Sequence, residues 1–194
     1  GTPVYAAADG TVETAYRWNG RRTQGAHMEE VSFSKGELII RKGDRNSNFY
    51  LIKKGIWRAY YLADGTENSL WFVGSGETAF SSWTYVEGKP SQINIESVND
   101  SIAYCISKVK LETLFSHSLE MANFGRKIFE REILSVDAST LAYGAPPTAK
   151  ERYLTLMEEN PELLQDVPLK YLASYLYITP QSLSRIRAGL RKKD

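Results

Sequence analysis

The chain has 194 residues, of which 42% are apolar and 24% charged, so it can form one or two domains with hydrophobic cores. Its single cysteine excludes disulfides, cysteine-rich zinc sites and iron–sulfur clusters within one chain, and no apolar run approaches the ~18 residues of a membrane span. Residues 168–194 carry a net charge of +5 and the preceding 167 residues carry −4, which predicts an anionic partner for the basic tail. The N-terminus lacks a secretory signal pattern, which favours the reducing cytoplasm.

The first 18 residues read "GTPVYAAADGTVETAYRW", with an Asp9-Gly10 pair at which a hairpin would turn. This stretch resembles a strand pair of LytM-like zinc endopeptidases, in which the same residues follow a ligating aspartate. The metal-ligating His and Asp of that family lie outside the stretch, and the well-separated His27 and His117 cannot assemble a zinc peptidase centre. We expect residues 1–28 to be a non-catalytic hairpin or arm.

From Val31 to Ile106 the chain has the pattern of short strands separated by glycines. Six segments are rich in β-branched and aromatic residues, namely "ELIIRK", "FYLIK", "IWRAYYLA", "NSLWFV", "QINIES" and "SIAYCI". The Asp64-Gly65 pair between the third and fourth segments is a hairpin signal. Six strands without an intervening helix predict an antiparallel roll over residues 29–117 in a fold of the α+β class. Within the last segment, Cys105 is expected to be an inert buried thiol.

A long helix is predicted next, because Val109 to Leu141 contains no proline and only one glycine, Gly125. Its apolar residues cover more than one helical face: they are Met121, Phe124, Ile128, Phe129, Ile133, Leu134, Val136 and Leu141. An apolar face that a chain cannot cover is usually covered by a second copy, so residues 118–143 are predicted to form a dimerisation helix. The alternative is a helix wedged between the roll and the C-terminal domain.

The last predicted domain covers residues 144–194 and begins at a hinge, "YGAPPT", where two prolines end the long helix. Thr148 and Glu151 form a capping-box pattern that starts the next helix, "AKERYLTLMEEN". Further along, Thr179 is a favourable N-cap, and Pro180 suits the first position of the last helix.

The two helices on either side of Thr179 have the pattern of a helix-turn-helix. Each has an apolar face, formed by Leu172, Ala173, Leu176 and Ile178 in the first helix and by Leu183, Ile186 and Leu190 in the second. Ala173 is small where a second helix must cross closely, and the second helix is basic on its outer face. Glutamine and arginine suit bidentate contacts with adenine and guanine, whereas lysine, serine and further arginines suit phosphates. The predicted DNA-binding residues are Lys170, Thr179, Pro180, Gln181, Ser182, Ser184, Arg185, Arg187 and Arg191.

The whole pattern resembles the Crp/Fnr (cyclic-AMP receptor protein-like) transcription regulators. The resemblance is carried by "KGELIIRKGDRNSNFYLIKKGIWRAYY", "GRKIFEREI" and "VPLKYLASYLYITPQSLSRIR". It implies a homodimer whose two reading helices enter successive major grooves ~34 Å apart. It also implies base contacts from Pro180, Gln181 and Arg185. Tyr177 stands where the family usually has glycine, and would be strained if the turn needs a positive φ.

In that family the effector site is a cassette in which a Gly-Glu pair binds a ribose hydroxyl and a later Arg-Ser pair binds a cyclic phosphate. Aligned with "GETAFSSWTYVEGKPSQI", the first pair is replaced by Phe80 and Ser81, and Pro90 replaces the arginine of the second pair, so that only its serine survives, as Ser91. A desolvated phosphate without its arginine costs several kcal/mol, so we predict that cyclic AMP does not bind in the family manner. The candidate effector pocket comprises Phe80, Ser81, Ser82, Trp83, Pro90, Ser91, Ile128 and Phe129. Its aromatic side chains either line a pocket for a less charged ligand or fill the space with protein.

The residues and the resemblance together predict a homodimeric transcription regulator that is not an enzyme and holds no cofactor. Its expected partners are double-stranded DNA, a second copy of the chain and, as a candidate, RNA polymerase, with an unknown effector and no membrane. A cupin-like enzyme would need clustered His and Glu ligands, and residues 31–106 contain no histidine. The open alternative is a ligand-binding or scaffolding roll without affinity for DNA.

Overall fold

The computed structural model describes the backbone of residues 3–8, 11–18, 21–22, 27–144 and 147–191, and the side chains of residues 28–134 and 147–190. The strands are β1 (Pro3–Ala8), β2 (Thr11–Trp18), β3 (Arg21–Arg22), β4 (His27–Phe33), β5 (Leu38–Ile40), β6 (Phe49–Lys54), β7 (Trp57–Ala63), β8 (Thr66–Val73), β9 (Thr78–Ala79), β10 (Asn94–Ser97) and β11 (Ser101–Ile106). The helices are α1 (Ser82–Glu87), α2 (Lys108–His117), α3 (Leu119–Gly144), α4 (Ala149–Glu159), α5 (Leu163–Asp166), α6 (Leu169–Tyr175) and α7 (Pro180–Arg191).

The chain divides into two compact units. The first comprises Gly1–Trp57 and Val73–Gly125, and the second comprises Arg58–Phe72 and Arg126–Asp194. The predicted antiparallel roll, long helix and C-terminal helices are confirmed, and each of the six predicted strand segments contains an observed strand. The predicted domain boundaries after residues 28, 117 and 143 stay predictions.

The first unit is built on an antiparallel sheet in the order β1-β2-β4-β11-β6-β9, with β3 paired to β2. Strand β11 lies between β4 and β6, with Tyr104 opposite both Glu30 and Leu51. A separate pairing joins β5 to β10, where the buried Ile40 and Ile95 lie opposite each other. The β-branched and aromatic residues of these strands fill the roll, as their alternation predicts.

Trp57 lies at the centre of this core and is fully buried. The rings of Phe33 and Tyr50 meet it edge-on, at centroid distances of 5.1 and 5.3 Å. Its indole Nε1 donates a hydrogen bond of 2.8 Å to the hydroxyl of Ser101, which satisfies the one polar atom of the ring.

Three sequence-based expectations for the first unit need correction. The roll contains a short helix, α1, where only strands were predicted; Gly88 ends it with a φ of 67°, which glycine adopts without strain. Cys105 is half-buried rather than buried, although burial still raises the pKa of its thiol. The predicted helical stretch is also divided, because Ser118 is extended between α2 and α3.

Strands β1 and β2 pair in an antiparallel arrangement in which Pro3 lies opposite Tyr16. The pair continues the sheet through the pairing of Val12 with Met28. The predicted turn at Asp9-Gly10 lies outside the described residues.

Gly125 of α3 packs tightly against α2, whereas Gly189 of α7 has open space around it. Substitution by alanine is therefore expected to have opposite effects at the two positions. A Cβ added at Gly125 would lie 2.6 Å from the Phe115 ring, whereas one added at Gly189 of α7 would have no atom within 4 Å. Gly125→Ala is therefore expected to lower the free energy of unfolding by about 1 kcal/mol, because overpacking outweighs the gain in helix propensity. Gly189→Ala, the matched control, should raise it by about 0.5–1 kcal/mol. Denaturant unfolding measures both, and equal stabilisation by the two variants would contradict the close packing at Gly125.

In the second unit, β7 and β8 form a hairpin that precedes α4–α7 along the chain. Its turn residues Asp64 and Gly65 have φ values of 50° and 74°, which confirms the predicted hairpin signal. The side-chain hydroxyl of Thr148 accepts from the Glu151 amide, and the Glu151 carboxylate accepts from the Thr148 amide, so the predicted capping box of α4 is confirmed. The hydrogen bond from the Thr148 amide to the carboxylate, together with one from the Thr148 side chain, lowers the pKa of Glu151.

Candidate nucleic-acid interface

Helices α6 and α7 share a small core inside the second unit. Leu172, Ala173 and Leu183 are fully buried, and Leu176 is almost so. Ala173 is the predicted small residue at the crossing, and its burial agrees with a close approach of the two helices. Because this core fixes α7 by its inward residues, the opposite side of α7 is free for another use.

The turn between α6 and α7 is a Schellman motif. The amide of Ile178 donates to the carbonyl of Ala173, and the amide of Tyr177 donates to the carbonyl of Ser174, at 2.9 and 3.0 Å. Tyr177 has a φ of 54°, which confirms that this position takes the left-handed conformation. For a residue with a Cβ this conformation costs roughly 1–2 kcal/mol.

Arg152 of α4 holds the carbonyl end of α6. Its guanidinium donates to the Leu176 carbonyl through Nε at 3.2 Å and through Nη2 at 2.6 Å, and it also donates to the Pro147 carbonyl. Carbonyls at a helix end lack intrahelical donors, so a forked cation satisfies them well. This role of Arg152 was not predicted, because no local motif indicates it.

The start of α7 has the predicted cap. The hydroxyl of Thr179 accepts from the Ser182 amide at 3.2 Å, and the Thr179 carbonyl accepts from Leu183 at 3.0 Å. Pro180 occupies the first helical position, where a missing N–H costs nothing.

Two of the side chains predicted for base contacts, Gln181 and Arg185, lie on the outer face of α7. Gln181, Ser184, Arg185 and Ala188 are spaced at three and four residues and are all exposed. No acidic residue occurs between residues 168 and 191, so this face has no anionic neighbour along the segment. Such a helix can enter a groove of DNA and offer bidentate hydrogen bonds to base edges.

The residues predicted to bind phosphate have more varied surroundings. Lys170 is exposed, with its Nζ 4.5 Å from the centroid of the Tyr171 ring. Ser182 is half-buried, and its hydroxyl lies 3.0 Å from that of Thr179. Arg187 is half-buried and donates to the Leu164 carbonyl at 3.3 Å, which gives it a structural partner. The side chain of Arg191 lies outside the described residues.

A second feature that sequence reasoning missed is the contact between α6 and the β7–β8 hairpin. The hydroxyl of Ser174 donates to the Glu67 carbonyl at 3.0 Å and accepts from the Ser69 amide at 2.7 Å, so it bridges two nearby peptide groups of β8. The rings of Phe72 and Tyr175 meet edge-on at 5.4 Å. The first helix of the pair is thereby fixed on the hairpin.

Arg58 is buried at the centre of that contact. Its guanidinium carbon lies 3.4 Å from the centroid of the Tyr171 ring and 4.3 Å from that of Tyr60, in cation–π contact with both. Its Nη2 donates to the Glu67 carboxylate at 2.5 Å, and its Nη1 to the Ser69 hydroxyl at 3.3 Å. A fully buried cation is thus neutralised and hydrogen-bonded, as burial requires.

The predicted effector cassette lies in the first unit, where the surviving Ser91 bonds to Ser81, the residue in place of the family's glutamate. Ser81 and Ser91 are fully buried, with the Ser81 hydroxyl donating to that of Ser91 at 3.0 Å. The Ser91 hydroxyl donates in turn to the Ile93 carbonyl at 2.8 Å. These groups are therefore satisfied by protein partners.

Aromatic side chains fill the space beside the two serines. The rings of Phe80 and Phe49 stack at 5.4 Å, and Tyr85 packs on Phe80 at the same distance. The Tyr85 hydroxyl donates to Glu112 at 2.9 Å, and burial together with this bond raises the tyrosine pKa. Trp83 is less enclosed, with 38% of its surface exposed.

The remaining predicted pocket residues do not extend this cluster within the first unit. Ser82 is exposed and Pro90 half-buried. Ile128 and Phe129 are half-buried residues of the second unit. Among the described side chains, no three His, Cys, Asp or Glu residues are grouped so as to hold a metal ion. In the same part of the chain, no helix is long and apolar enough to cross a membrane.

Comparisons with known proteins agree with this architecture. Residues 30–118 match the family model of the cyclic nucleotide-binding domain. No curated protein matches the chain in sequence. The family match begins after residues 1–18, whose likeness to LytM-like endopeptidases is not shown by these comparisons.

Several solved structures share the fold over most of the chain. FixK2 from Bradyrhizobium japonicum has a TM-score of 0.74 at 22% identity, covering 86% of this chain and 85% of its own. A CooA mutant from Carboxydothermus hydrogenoformans has a TM-score of 0.69 at 13% identity, and the match covers 86% of this chain and 77% of the CooA chain. CLP, a c-di-GMP-responsive global regulator from Xanthomonas campestris, has a TM-score of 0.66 at 18% identity, and the match covers 86% of this chain and 88% of the CLP chain. The chain therefore has the fold of Crp/Fnr-type regulators.

Proposed function

We propose that the protein is a homodimeric, DNA-binding transcription regulator. The observation that carries this proposal is the exposed outer face of α7, where Gln181, Ser184 and Arg185 share one side of a capped helix. The acid-free sequence around it suits an anionic duplex. The shared fold supports the same conclusion, since CLP is a global regulator that links cell–cell signalling to virulence gene expression.

In this function α7 enters the major groove, and Gln181 and Arg185 read base edges. Glutamine bonds adenine and arginine bonds guanine through paired hydrogen bonds. Lys170 and the capped N-terminus of α7 contact phosphates and set the register of the helix. RNA polymerase is the candidate protein partner for a regulator bound in this way.

The proposal is tested by measuring binding to mixed-sequence duplex DNA over a range of salt concentrations. Affinity is expected to fall steeply, with a slope of about −0.9 in log affinity against log salt for each neutralised phosphate. Selection of bound fragments from random DNA should then yield a near-palindromic site. Absence of binding at every salt concentration would overturn the proposal and favour a scaffolding roll.

The dimer is proposed to form through α3. Its neighbouring residues Ile133 and Leu134 have 61% and 67% of their surface exposed within one chain, so two adjacent large aliphatic side chains of α3 are left uncovered. A second copy of the same helix covers such a face symmetrically.

Substitution of Ile133 by glutamate is expected to convert the dimer to a monomer, because the interface would bury unpaired charges. Sedimentation velocity measures the change. Affinity for a duplex with two half-sites should fall about a hundredfold or more as the avidity is lost. Val109→Glu is the matched control, since Val109 is 77% exposed on α2, and this variant should stay dimeric. A dimeric Ile133→Glu variant would contradict the role of α3.

The effector is proposed to be something other than cyclic AMP bound in the family manner. The support is the pairing of Ser81 with Ser91 and the stacking of Phe80 on Phe49, which occupy the cassette with protein groups. Titration calorimetry with cyclic AMP is expected to give no heat of binding. Micromolar binding that Ser91→Ala abolishes would contradict this part of the proposal.

A further inference from the structure

A surface pocket with a volume of about 360 Å³ lies in the first unit, on the sheet formed by β4, β11 and β6. We call it the β11 pocket, and its lining includes Ser32, Phe33, Ser34, Lys54, Asp100 and Ile102. Small-molecule sites in proteins range from about 300 to 1,000 Å³, so the β11 pocket is large enough for a small ligand. None of these residues belongs to the predicted effector cassette, so the β11 pocket is a separate site.

The strand register places the polar side chains of the β11 pocket together. Ile102 of β11 lies opposite Ser32 of β4 on one side and opposite Lys54 of β6 on the other. Residues directly opposite each other on neighbouring strands have their side chains on the same face of the sheet. Asp100 and Ser34 stand two positions from Ile102 and Ser32, just beyond the strand ends, and they also line the pocket.

Most polar groups of the β11 pocket are not used by the protein itself. Among the described residues, neither the ammonium of Lys54 nor the hydroxyls of Ser32 and Ser34 form a hydrogen bond or an ion pair. The Asp100 carboxylate accepts from the Lys35 amide through Oδ1 at 2.8 Å, which leaves Oδ2 available to a ligand. The pocket thus offers a cation, a carboxylate oxygen and two hydroxyls at one place.

The apolar part of the β11 pocket is formed by Phe33 and Ile102, which are both half-buried. The Phe33 ring meets the buried Trp57 ring edge-on at 5.1 Å, so the core fixes its position. A ligand with a small apolar group can cover these two side chains and remove their surface from water.

The two charged groups of the β11 pocket have opposite signs. Lys54 and Asp100 are diagonal neighbours, because Lys54 lies opposite Ile102 and Asp100 precedes Ile102 by two positions. Positions of this kind are about 7–8 Å apart across a sheet. A ligand with a single charge would have a like charge on one side of the pocket, whereas a small zwitterion places each charge beside the opposite one.

We propose that the β11 pocket binds a small apolar α-amino acid. The carboxylate of the ligand accepts from the Lys54 ammonium and from the two serine hydroxyls. The ammonium of the ligand donates to Oδ2 of Asp100, and the apolar side chain packs on Phe33 and Ile102. The site lies within the first unit and does not depend on the proposed contact with DNA.

Titration calorimetry of the full chain with L-leucine, without DNA, tests the proposal. We expect saturable binding at millimolar or lower concentrations. Two analogues each lack one charge: 4-methylpentanoate has no ammonium and 3-methylbutylamine has no carboxylate. Each should bind at least about tenfold more weakly than L-leucine, because each loses a charge-assisted hydrogen bond. Absence of saturable heat with L-leucine, or equal affinity for all three compounds, would overturn the proposal.

Two variants assign the charges of the ligand to residues of the β11 pocket. Lys54→Ala should bind L-leucine at least about tenfold more weakly, and no better than it binds 3-methylbutylamine. Asp100→Asn keeps an acceptor for the Lys35 amide and should bind L-leucine no better than 4-methylpentanoate. Lys53→Ala is the matched control, because Lys53 is paired with Glu30, and this variant should bind like the wild type. Wild-type affinity for L-leucine in Lys54→Ala or in Asp100→Asn would show that the ligand binds elsewhere and would overturn the assignment.

Discussion

Replacing Arg185 with alanine is expected to cost about 1–3 kcal/mol of binding free energy at each half-site and to relax preference at one base pair. The reason is geometric: Arg185 is exposed on the same face of α7 as Gln181, one helical turn away, and its guanidinium can form two hydrogen bonds with guanine. Because a dimer presents the residue twice, the total effect on a palindromic site should approach twice that amount. Anisotropy titrations on the selected site and on single-base variants measure both effects.

The comparison between specific and mixed-sequence DNA separates this role from simple charge. Arg185→Ala should lower the ratio of specific to non-specific affinity, whereas loss of a phosphate contact lowers both affinities together. Arg185→Lys should recover non-specific binding but not base preference, since lysine lacks the planar fork. Arg41→Ala is the control, because Arg41 is exposed in the first unit. An Arg185→Ala variant that binds its best site like the wild type would show that Arg185 does not read a base.

The features that sequence reasoning predicted well depend on residues close together in the chain. The Asp64-Gly65 turn, the Thr148–Glu151 capping box and the Thr179 cap each involve partners no more than three residues apart. Their chemistry is therefore visible in a short segment. The left-handed φ of Tyr177 was indicated only by the family resemblance, in which glycine usually occupies this turn position.

The features that it missed depend on contacts between distant segments. Ser174 forms hydrogen bonds with Ser69 and Glu67, which precede it by more than 100 positions in the chain. Nothing near Ser174 in the sequence therefore indicates these partners. Strand alternation would place Arg58 on the face of β7 opposite to Trp57, where an exposed cation is expected. In the structure β7 is buried on both faces from Trp57 to Tyr60, so Arg58 is buried as well. The cassette is an intermediate case: its missing arginine was visible, whereas the pairing of Ser81 with Ser91 required the fold.

The two missed contacts act on the same helix. Arg152 holds the carbonyl end of α6, and the β7–β8 hairpin holds its side through Ser174 and Tyr171. Since α6 and α7 share the small core that contains Leu172 and Leu183, fixing α6 also fixes the outer face of α7. The orientation of α7 thus depends on α4, α6 and the β7–β8 hairpin, and residues of these elements without any DNA contact should affect binding.

Substitution of Arg58 by alanine is expected to lower the free energy of unfolding by about 2–4 kcal/mol. Most of the loss comes from the space vacated between the Tyr60 and Tyr171 rings and from the two lost cation–π contacts. The Glu67 side chain is 40% exposed, so its carboxylate can be rehydrated and adds less to the loss than a buried charge would. Denaturant unfolding followed by tryptophan fluorescence measures the change.

A second variant at Arg58 separates packing from charge, and a variant of an exposed ion pair elsewhere serves as the control. Arg58→Met keeps an apolar stem between the rings and should lose only about 1–2 kcal/mol. Lys53 forms an ion pair with Glu30, and the two side chains are 42% and 32% exposed, respectively. Because this pair is accessible to solvent, Lys53→Ala should change the free energy of unfolding by less than about 0.5 kcal/mol. A loss of unfolding free energy in Arg58→Ala as small as that in Lys53→Ala would contradict a stabilising role of the Arg58 guanidinium. Another contact would then have to hold α6 on the hairpin.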